Sequence, residues 1–246
     1  MHTVTTLSTL ADNYTYLVES HGEAVAVDPG EASPVLRALQ RSGSRLVAVL
    51  CTHGHFDHVG GSDELARTGC KVLLPEKIAF GKQSAITFGS LRFTVLSTPG
   101  HTADSVCFYL PAADGTSGDV FTGDTLFVGG CGRVLTKSPA TMWASLQLLA
   151  TLPPDTRVFC GHDYSLEDYE FAATVEPNNA TVRARLEQIR ALAEACEPTV
   201  PSTIGQELAT NPFLRAVTPE MKRALGMDSA TDVEVFARLR RMKDDF

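Results

Sequence analysis

Residues 52–58 read T-H-G-H-F-D-H, so four side chains able to ligate a metal fall between His53 and His58. The segment follows the apolar run LVAVL (46–50) and begins where a strand is expected to end. Histidine, histidine, aspartate and histidine at 53, 55, 57 and 58 would place four desolvation costs in a single loop, with no structural return. A bound cation removes that difficulty. Metal binding is therefore the expectation for this loop.

The same arrangement recurs along the chain. FTVL runs into Pro99-Gly100-His101, DVFT into Gly123-Asp124, and RVFC into Gly161-His162. AVAV before Asp28-Pro29-Gly30 and SVCFYL before Pro111 complete a set of short apolar runs bounded by turn residues, which predict strands. Strand ends in a layered α/β domain are rigid and lie close in space, so side chains there can converge. Taken singly, His101 or His162 would read as a solvated turn residue and Asp124 as a turn cap. The dense loop changes that reading. The candidate ligands are then seven: His53, His55, Asp57, His58, His101, Asp124 and His162. Seven exceeds the four of a closed structural zinc site. None is cysteine, so the donors suit zinc, iron or manganese. They divide as three plus three with one shared; a carboxylate can bridge two cations and one imidazole cannot, which makes Asp124 the natural bridge. The chemistry expected is a two-metal hydrolytic centre, in which a water between the cations ionises near neutral pH.

Composition narrows the partners. The net charge is −8, and no stripe of lysine and arginine is long enough to track a phosphate backbone, so nucleic acid is not expected. No apolar run approaches the roughly 20 residues of a membrane helix, and the N-terminal segment lacks the pattern of a signal or transit peptide. Six cysteines (51, 70, 107, 131, 160 and 196) are scattered without a C-x-x-C pair, as expected of reduced thiols in a cytoplasmic protein.

Helix signals lie between the strands and dominate after residue 164. Ser33-Pro34 predicts a helix start and Gly43 its end, and Ser138-Pro139 opens another through MWASLQLLATL. VRARLEQIRALAEAC places Val182, Leu186, Ile189 and Ala193 on one helical face. Thr218-Pro219-Glu220 starts a short helix that Gly226 can stop, and Thr231 with Glu234 forms a capping box before VEVFARLRRMKDD. The expected plan is a mixed α/β domain over residues 1–164 and a small all-helical domain over 165–246.

T-H-x-H-x-D-H followed by a strand-end His, a strand-end Asp and a further His resembles the metallo-β-lactamase superfamily. The resemblance implies an αββα sandwich with metals at one edge. It assigns His53, His55 and His101 to one metal, Asp57, His58 and His162 to the other, and Asp124 to both. G-D-T-L-F-V-G-G-C-G-R (123–133), C-G-H-D-Y-S (160–165), E-P-T-V-P-S-T (197–203), N-P-F-L-R (211–215) and R-R-M-K-D-D-F (240–246) are similar to the glyoxalase II, or hydroxyacylglutathione hydrolase, family nearly end to end. That likeness implies hydrolysis of S-(2-hydroxyacyl)glutathione thioesters such as S-D-lactoylglutathione, the second step of methylglyoxal detoxification, by a cytoplasmic monomer. Two divalent metals, zinc first, would serve it, with Asp57 and Asp124 at the reaction and Arg133, Tyr164, Arg240 and Lys243 on glutathione.

The residues support a dianionic ligand. Arg240 and Lys243 lie three apart, hence on one helical face, beside the apolar stripe Phe236, Leu239 and Met242. Two departures stand out: Leu135 where the family commonly has an aromatic, and Lys137 as an extra charge. Rival expectations are a persulfide dioxygenase, a lactamase or lactonase of the same superfamily, and a non-catalytic metal-binding or electron-transfer module. The helical C-terminal segment argues against the enzymes, and the lack of a flavin domain or closed ligand shell against the module.

Overall fold

The structure is a computed structural model and describes residues 2–77, 84–112 and 115–246. Its first sheet has the order β1–β2–β3–β4–β5, formed by β1 (Thr3–Thr9), β2 (Asn13–Ser20), β3 (Glu23–Val27), β4 (Arg45–Leu50) and β5 (Lys71–Leu73). β1, β2 and β3 are antiparallel neighbours, and β3, β4 and β5 run parallel. The second sheet is β6 (Ser84–Phe88), β7 (Leu91–Ser97), β8 (Val106–Leu110), β9 (Asp119–Gly123), β10 (Arg157–Cys160) and β11 (Ser202–Thr203), in that sequence reversed across the sheet. β6 to β9 form an antiparallel meander, and β10 lies parallel to β9. All six apolar runs read as strands are strands.

Both faces of the inner strands are covered, which is why they read as unbroken apolar runs rather than as alternation. Val25, Val27 and Leu50 of one sheet meet Phe93, Phe108, Phe121 and Phe159 of the other in a shared core. Tyr16 sits among these rings, 5.5 Å from Phe121 and 5.2 Å from Phe159, and its hydroxyl donates to the Cys160 carbonyl at 2.5 Å. The outer face of the first sheet, through Leu17, Ala24, Ala26 and Val49, packs on α1 (Ala32–Ser42) and on Leu65 of α3 (Ser62–Ala66). A bulge at Val47 makes this possible: Ala24 pairs with Leu46, but Val25 pairs with Ala48, so the strand changes face after Leu46.

The outer face of the second sheet offers Leu96, Val120 and Val158 to α4 (Pro139–Ala150) and to the C-terminal helices. The C-terminal helices are α5 (Ser165–Val175), α6 (Ala180–Glu194), α7 (Ile204–Thr210), α8 (Pro219–Ala224) and α9 (Asp232–Asp244); α6 packs instead on the core shared by the sheets, through Val182, Leu186 and Ile189. The short helix α2 (Phe56–Val59) belongs to the ligand loop. The architecture is thus the expected αββα sandwich with a helical C-terminal part. That part gives back one two-residue strand, β11, to the edge of the second sheet beside β10. Trp143 of α4 lies 5.7 Å from Phe236 of α9, and Phe236 lies 6.0 Å from Phe213, so the last helix is bound by aromatic packing.

Several local expectations hold at the level of single hydrogen bonds. Ser138, Thr218 and Thr231 each cap a helix by accepting from a backbone N–H three residues on, and Thr231 with Glu234 forms the complete capping box. Gly43 ends α1 in the left-handed conformation. Two details differ. α1 begins at Ala32, so Pro34 is its third residue; the proline lacks a donor that has no intrahelical partner in the first turn anyway. Ala193 is exposed, and Leu192 turns inward instead, because 3.6 residues per turn favours the step of three after Ile189.

Candidate metal centre

β7, β9 and β10 run in one direction in the second sheet, and the loops that leave them carry His101, Asp124 and His162. β4 of the first sheet leads into His53 and His55, and α2 then presents Asp57 and His58. All seven predicted ligands meet. They fall into two groups, His53, His55, His101 and Asp124, and Asp57, His58 and His162, each with donor atoms within 4.8 Å of one another. Asp124 turns one oxygen to each side: Oδ2 lies 3.4 Å from His101 Nε2 and 4.0 Å from His53 Nε2, while Oδ1 lies 3.3 Å from His58 Nε2 and 3.5 Å from His162 Nε2.

The donor set fits cations better than it fits itself. His58 Nδ1 faces Asp28 at 3.0 Å, His162 Nδ1 faces Asp12 at 2.8 Å, and His101 Nδ1 faces the Arg133 carbonyl at 3.0 Å. Each acceptor holds the ring proton on Nδ1, which leaves the Nε2 lone pair directed into the site. His58 Nε2 and His162 Nε2 then confront each other at 3.3 Å, and His55 Nδ1 lies 3.0 Å from His53 Nε2 and 3.1 Å from His101 Nε2. Facing lone pairs repel unless positive charge lies between them. Asp124 Oδ1 is buried and accepts no hydrogen bond. Gly161 keeps the space open, since a Cβ there would come within 2.5 Å of Asp124 Oδ1 and 2.6 Å of His58 Cε1.

The electrostatics also ask for positive charge. Burial opposes ionisation of Asp124, yet His162 and His58 hold its carboxyl well below the usual range. Burial pushes His53 down to about 3. At His58 burial also works downward, but Asp28 and Asp124 outweigh it and raise the imidazole to about 10. Two buried carboxylates thus recruit a proton where no other cation is present.

Further residues hold the candidate ligands in place. Thr52 Oγ1 lies 3.1 Å from His53 Nδ1 and donates to Asp28 at 2.7 Å. Asp163, next to His162, faces no candidate ligand. It accepts from Tyr14 and Thr199, each at 2.7 Å, and its backbone N–H donates at 2.8 Å to the carbonyl of Asp12, the residue that does face His162. Asn13, unforeseen, donates to Asp57 Oδ2 at 2.9 Å. Asp28, also unforeseen, adopts φ 50°, a conformation unusual for a non-glycine residue, and accepts from Thr52 N as well as Thr52 Oγ1. A carboxylate at the end of AVAV carried the same strand-end signal as Asp124. Asp12 and Asn13, in a turn between β1 and β2, carried none.

A cavity of about 360 Å³ opens on this centre, lined by His101 and Asp124 together with Arg133, Tyr164, Arg240 and Lys243. Tyr164 stacks on His162 with centroids 4.8 Å apart and planes 6° apart. Arg240 donates from Nη1 to the Cys131 carbonyl at 2.7 Å and lies 5.0 Å over Phe213. Leu135 is 52% exposed on the loop beyond Arg133. Lys137 is exposed on the same loop.

The model of the metallo-β-lactamase superfamily matches residues 9–79 and 71–162, and that of the hydroxyacylglutathione hydrolase C-terminus matches 163–246. A curated hydroxyacylglutathione hydrolase from Methylococcus capsulatus is 45% identical over 96% of each chain. The chain belongs to the hydroxyacylglutathione hydrolase family. Among solved structures, the BLEG-1 B3 metallo-β-lactamase shares the fold at 24% identity and TM-score 0.62, covering 87% of this chain and 99% of its own. TTHA1623 in a di-iron-bound form is 30% identical, with TM-score 0.58 over 86% of this chain and all of the other.

The two matched regions of the chain divide the cavity. The superfamily part holds all seven candidate ligands and Arg133, while the C-terminal part supplies Tyr164, Glu167, Asp168, Arg240 and Lys243. Burial pushes the Asp168 carboxyl up to about 7, against the pull of Lys243 at 3.3 Å and of Arg240. The direction stands because Lys243 is shared with Glu167 at 2.5 Å. A carboxyl raised on folding contributes stability below its unfolded value near 3.9, and that contribution is lost as pH rises through about 7. Asp168→Asn should therefore gain on wild type as pH rises from 4 to 8, by roughly 4 kcal/mol at the upper end. Thermal melts of both proteins across that range check it; a pH-independent difference would refute it.

Proposed function

We infer that the protein hydrolyses S-(2-hydroxyacyl)glutathione thioesters, releasing glutathione and a 2-hydroxy acid. The observation that carries this reading is a cavity lined by His101 and Asp124 together with Arg133 and with Tyr164, Arg240 and Lys243 of the hydroxyacylglutathione hydrolase C-terminus. That C-terminal match also favours a glutathione thioesterase over a persulfide dioxygenase or a lactonase.

Two divalent cations held by His53, His55, His101, Asp57, His58, His162 and the shared Asp124 would bring a water's pKa down to about 7 and polarise the thioester carbonyl. Zinc is the metal we propose. Iron and manganese suit the same donors, and the di-iron form of TTHA1623 supports the iron alternative. Asp57 remains ionised beside the reacting water: burial works against this, but Asn13 and His58 hold its carboxyl below the usual range. It can therefore accept a hydrogen bond from the water and orient it. A C–O bond forms as the C–S bond breaks. The departing thiolate, of pKa about 8.5, leaves without a general acid. Arg133, Arg240 and Lys243 attract the two carboxylates of glutathione. Tyr164, its phenol raised to about 12 by burial and then Asp12, stays neutral and can donate a hydrogen bond.

Both ligand groups and the cavity are made by one chain, which supports a monomer as the working form. No helix among the described residues is long and apolar enough to cross a membrane. The six cysteines carry free thiols, which supports a cytoplasmic setting.

The test is S-D-lactoylglutathione hydrolysis by protein of measured metal content. Turnover is expected with both sites filled, falling at least about 100-fold on chelation and returning when metal is restored. No turnover with both sites filled would overturn the reading.

A further inference from the structure

Arg240 and Lys243 do not present bare charge to the cavity. Lys243 Nζ lies 2.5 Å from Glu167 Oε1 and 3.3 Å from Asp168 Oδ1, and Arg240 Nη2 lies 3.0 Å from Asp244 Oδ1. Glu167 and Asp168 line the same cavity as the two cations. A dianionic ligand arriving there meets positive charge that is already paired.

The members of this cluster differ in their freedom. The Lys243 side chain is 7% exposed, and its ammonium lies 5.2 Å from the Phe246 ring centroid and 5.8 Å from that of Phe171. Those rings and Asp168, 4% exposed, hold the lysine in place without Glu167. The Glu167 side chain is 63% exposed, in the first turn of α5, and can swing into solvent about its own rotamers at little cost. A fixed cation therefore carries one fixed and one removable carboxylate.

We propose that Glu167 occupies on Lys243 the position of a substrate carboxylate, and that its displacement sets how tightly anionic thioesters bind. The proposal rests on the glutathione-thioester reading of the site. Glu167 acts as a built-in competitor: a ligand with a carboxylate replaces its ion pair, and a ligand without one gains nothing by doing so. It is a specificity-determining residue, and it holds the affinity for the acid form below what Lys243 alone would give.

The test is calorimetric titration of the metal-loaded protein with S-methylglutathione and with the form whose two carboxylates are both amidated. Glu167→Gln should bind S-methylglutathione about 3–10-fold tighter than wild type and leave affinity for the amidated form unaltered. In a Lys243→Met background the same change should bring no gain, because the cation in contest is gone. Equal or weaker binding of S-methylglutathione by Glu167→Gln would overturn the proposal, the weaker result making Glu167 a support for Lys243. Equal gains for both ligands would overturn it too. Failure of the wild-type, metal-loaded protein to hydrolyse any glutathione thioester is a separate result and counts against the function instead.

Discussion

Asp124→Asn should leave the fold intact while stripping metal and activity together, with the rate of thioester hydrolysis falling about 10²–10³-fold. The side chain is 10% exposed, and its two oxygens are divided between His101 and His53 on one side and His58 and His162 on the other. Asparagine keeps the shape but replaces one oxygen by an N–H₂ group that cannot ligate and points a donor where a lone pair is needed. One cation would lose a ligand, and the other would lose the charge that balances it. Metal analysis and the hydrolysis rate, measured on the same sample, read both effects. Full activity with one metal per chain would remove Asp124 from its bridging place.

Asp28→Asn is the second large effect, and it acts through His58 without removing a candidate ligand. Asp28 is buried and accepts from Thr52 N, Thr52 Oγ1 and His58 Nδ1. An amide can serve only part of that set, so one donor is left unsatisfied at a cost of about 1–3 kcal/mol, or a melting temperature lower by roughly 2–12 °C. His58 also loses the partner that fixes its proton on Nδ1, and metal affinity should drop about 10–100-fold. Competition with a chelator of known affinity measures this. Unchanged affinity in a destabilised variant would make Asp28 a structural residue alone.

Much of the sandwich was legible because burial on both faces leaves a simple trace, a short apolar run stopped by glycine or proline. AVAV, LVAVL, FTVL and RVFC are all strands for that reason. β1 escaped notice because TVTTLST is half-exposed and rich in threonine, and β11 because two residues carry no period. α5 was missed for a packing reason: Tyr169 and Ala172 face the core between the sheets while Phe171 and Val175 face the outer one, so no single apolar stripe forms. The candidate ligands were visible in sequence because their chemistry is concentrated at strand ends. The residues that orient them were not, since Asp12 and Asn13 become partners of His162 and Asp57 only through contacts spanning 150 and 44 residues. The charge state of the cationic end was hidden likewise, because Glu167 and Lys243 are 76 residues apart.

Each ligand group draws on both sheets: His53, His55, Asp57 and His58 follow β4, while His101, Asp124 and His162 leave strands of the other sheet. Along that edge the sheets are also tied by hydrogen bonds, among them Tyr14 N to the Gly161 carbonyl at 2.8 Å and Val106 N to the Thr52 carbonyl at 2.9 Å, and by the bridge between Asn13 and His162. Cations seated there would rivet the two halves of the molecule together. Losing them would then be a mechanical event as well as a chemical one: the seam between the sheets would open first at the ligand edge, and proteases or exchanging solvent would enter there while the far edge stayed shut. In a cell short of metal, the supply of cations would then govern how long the polypeptide survives as well as how fast it turns over.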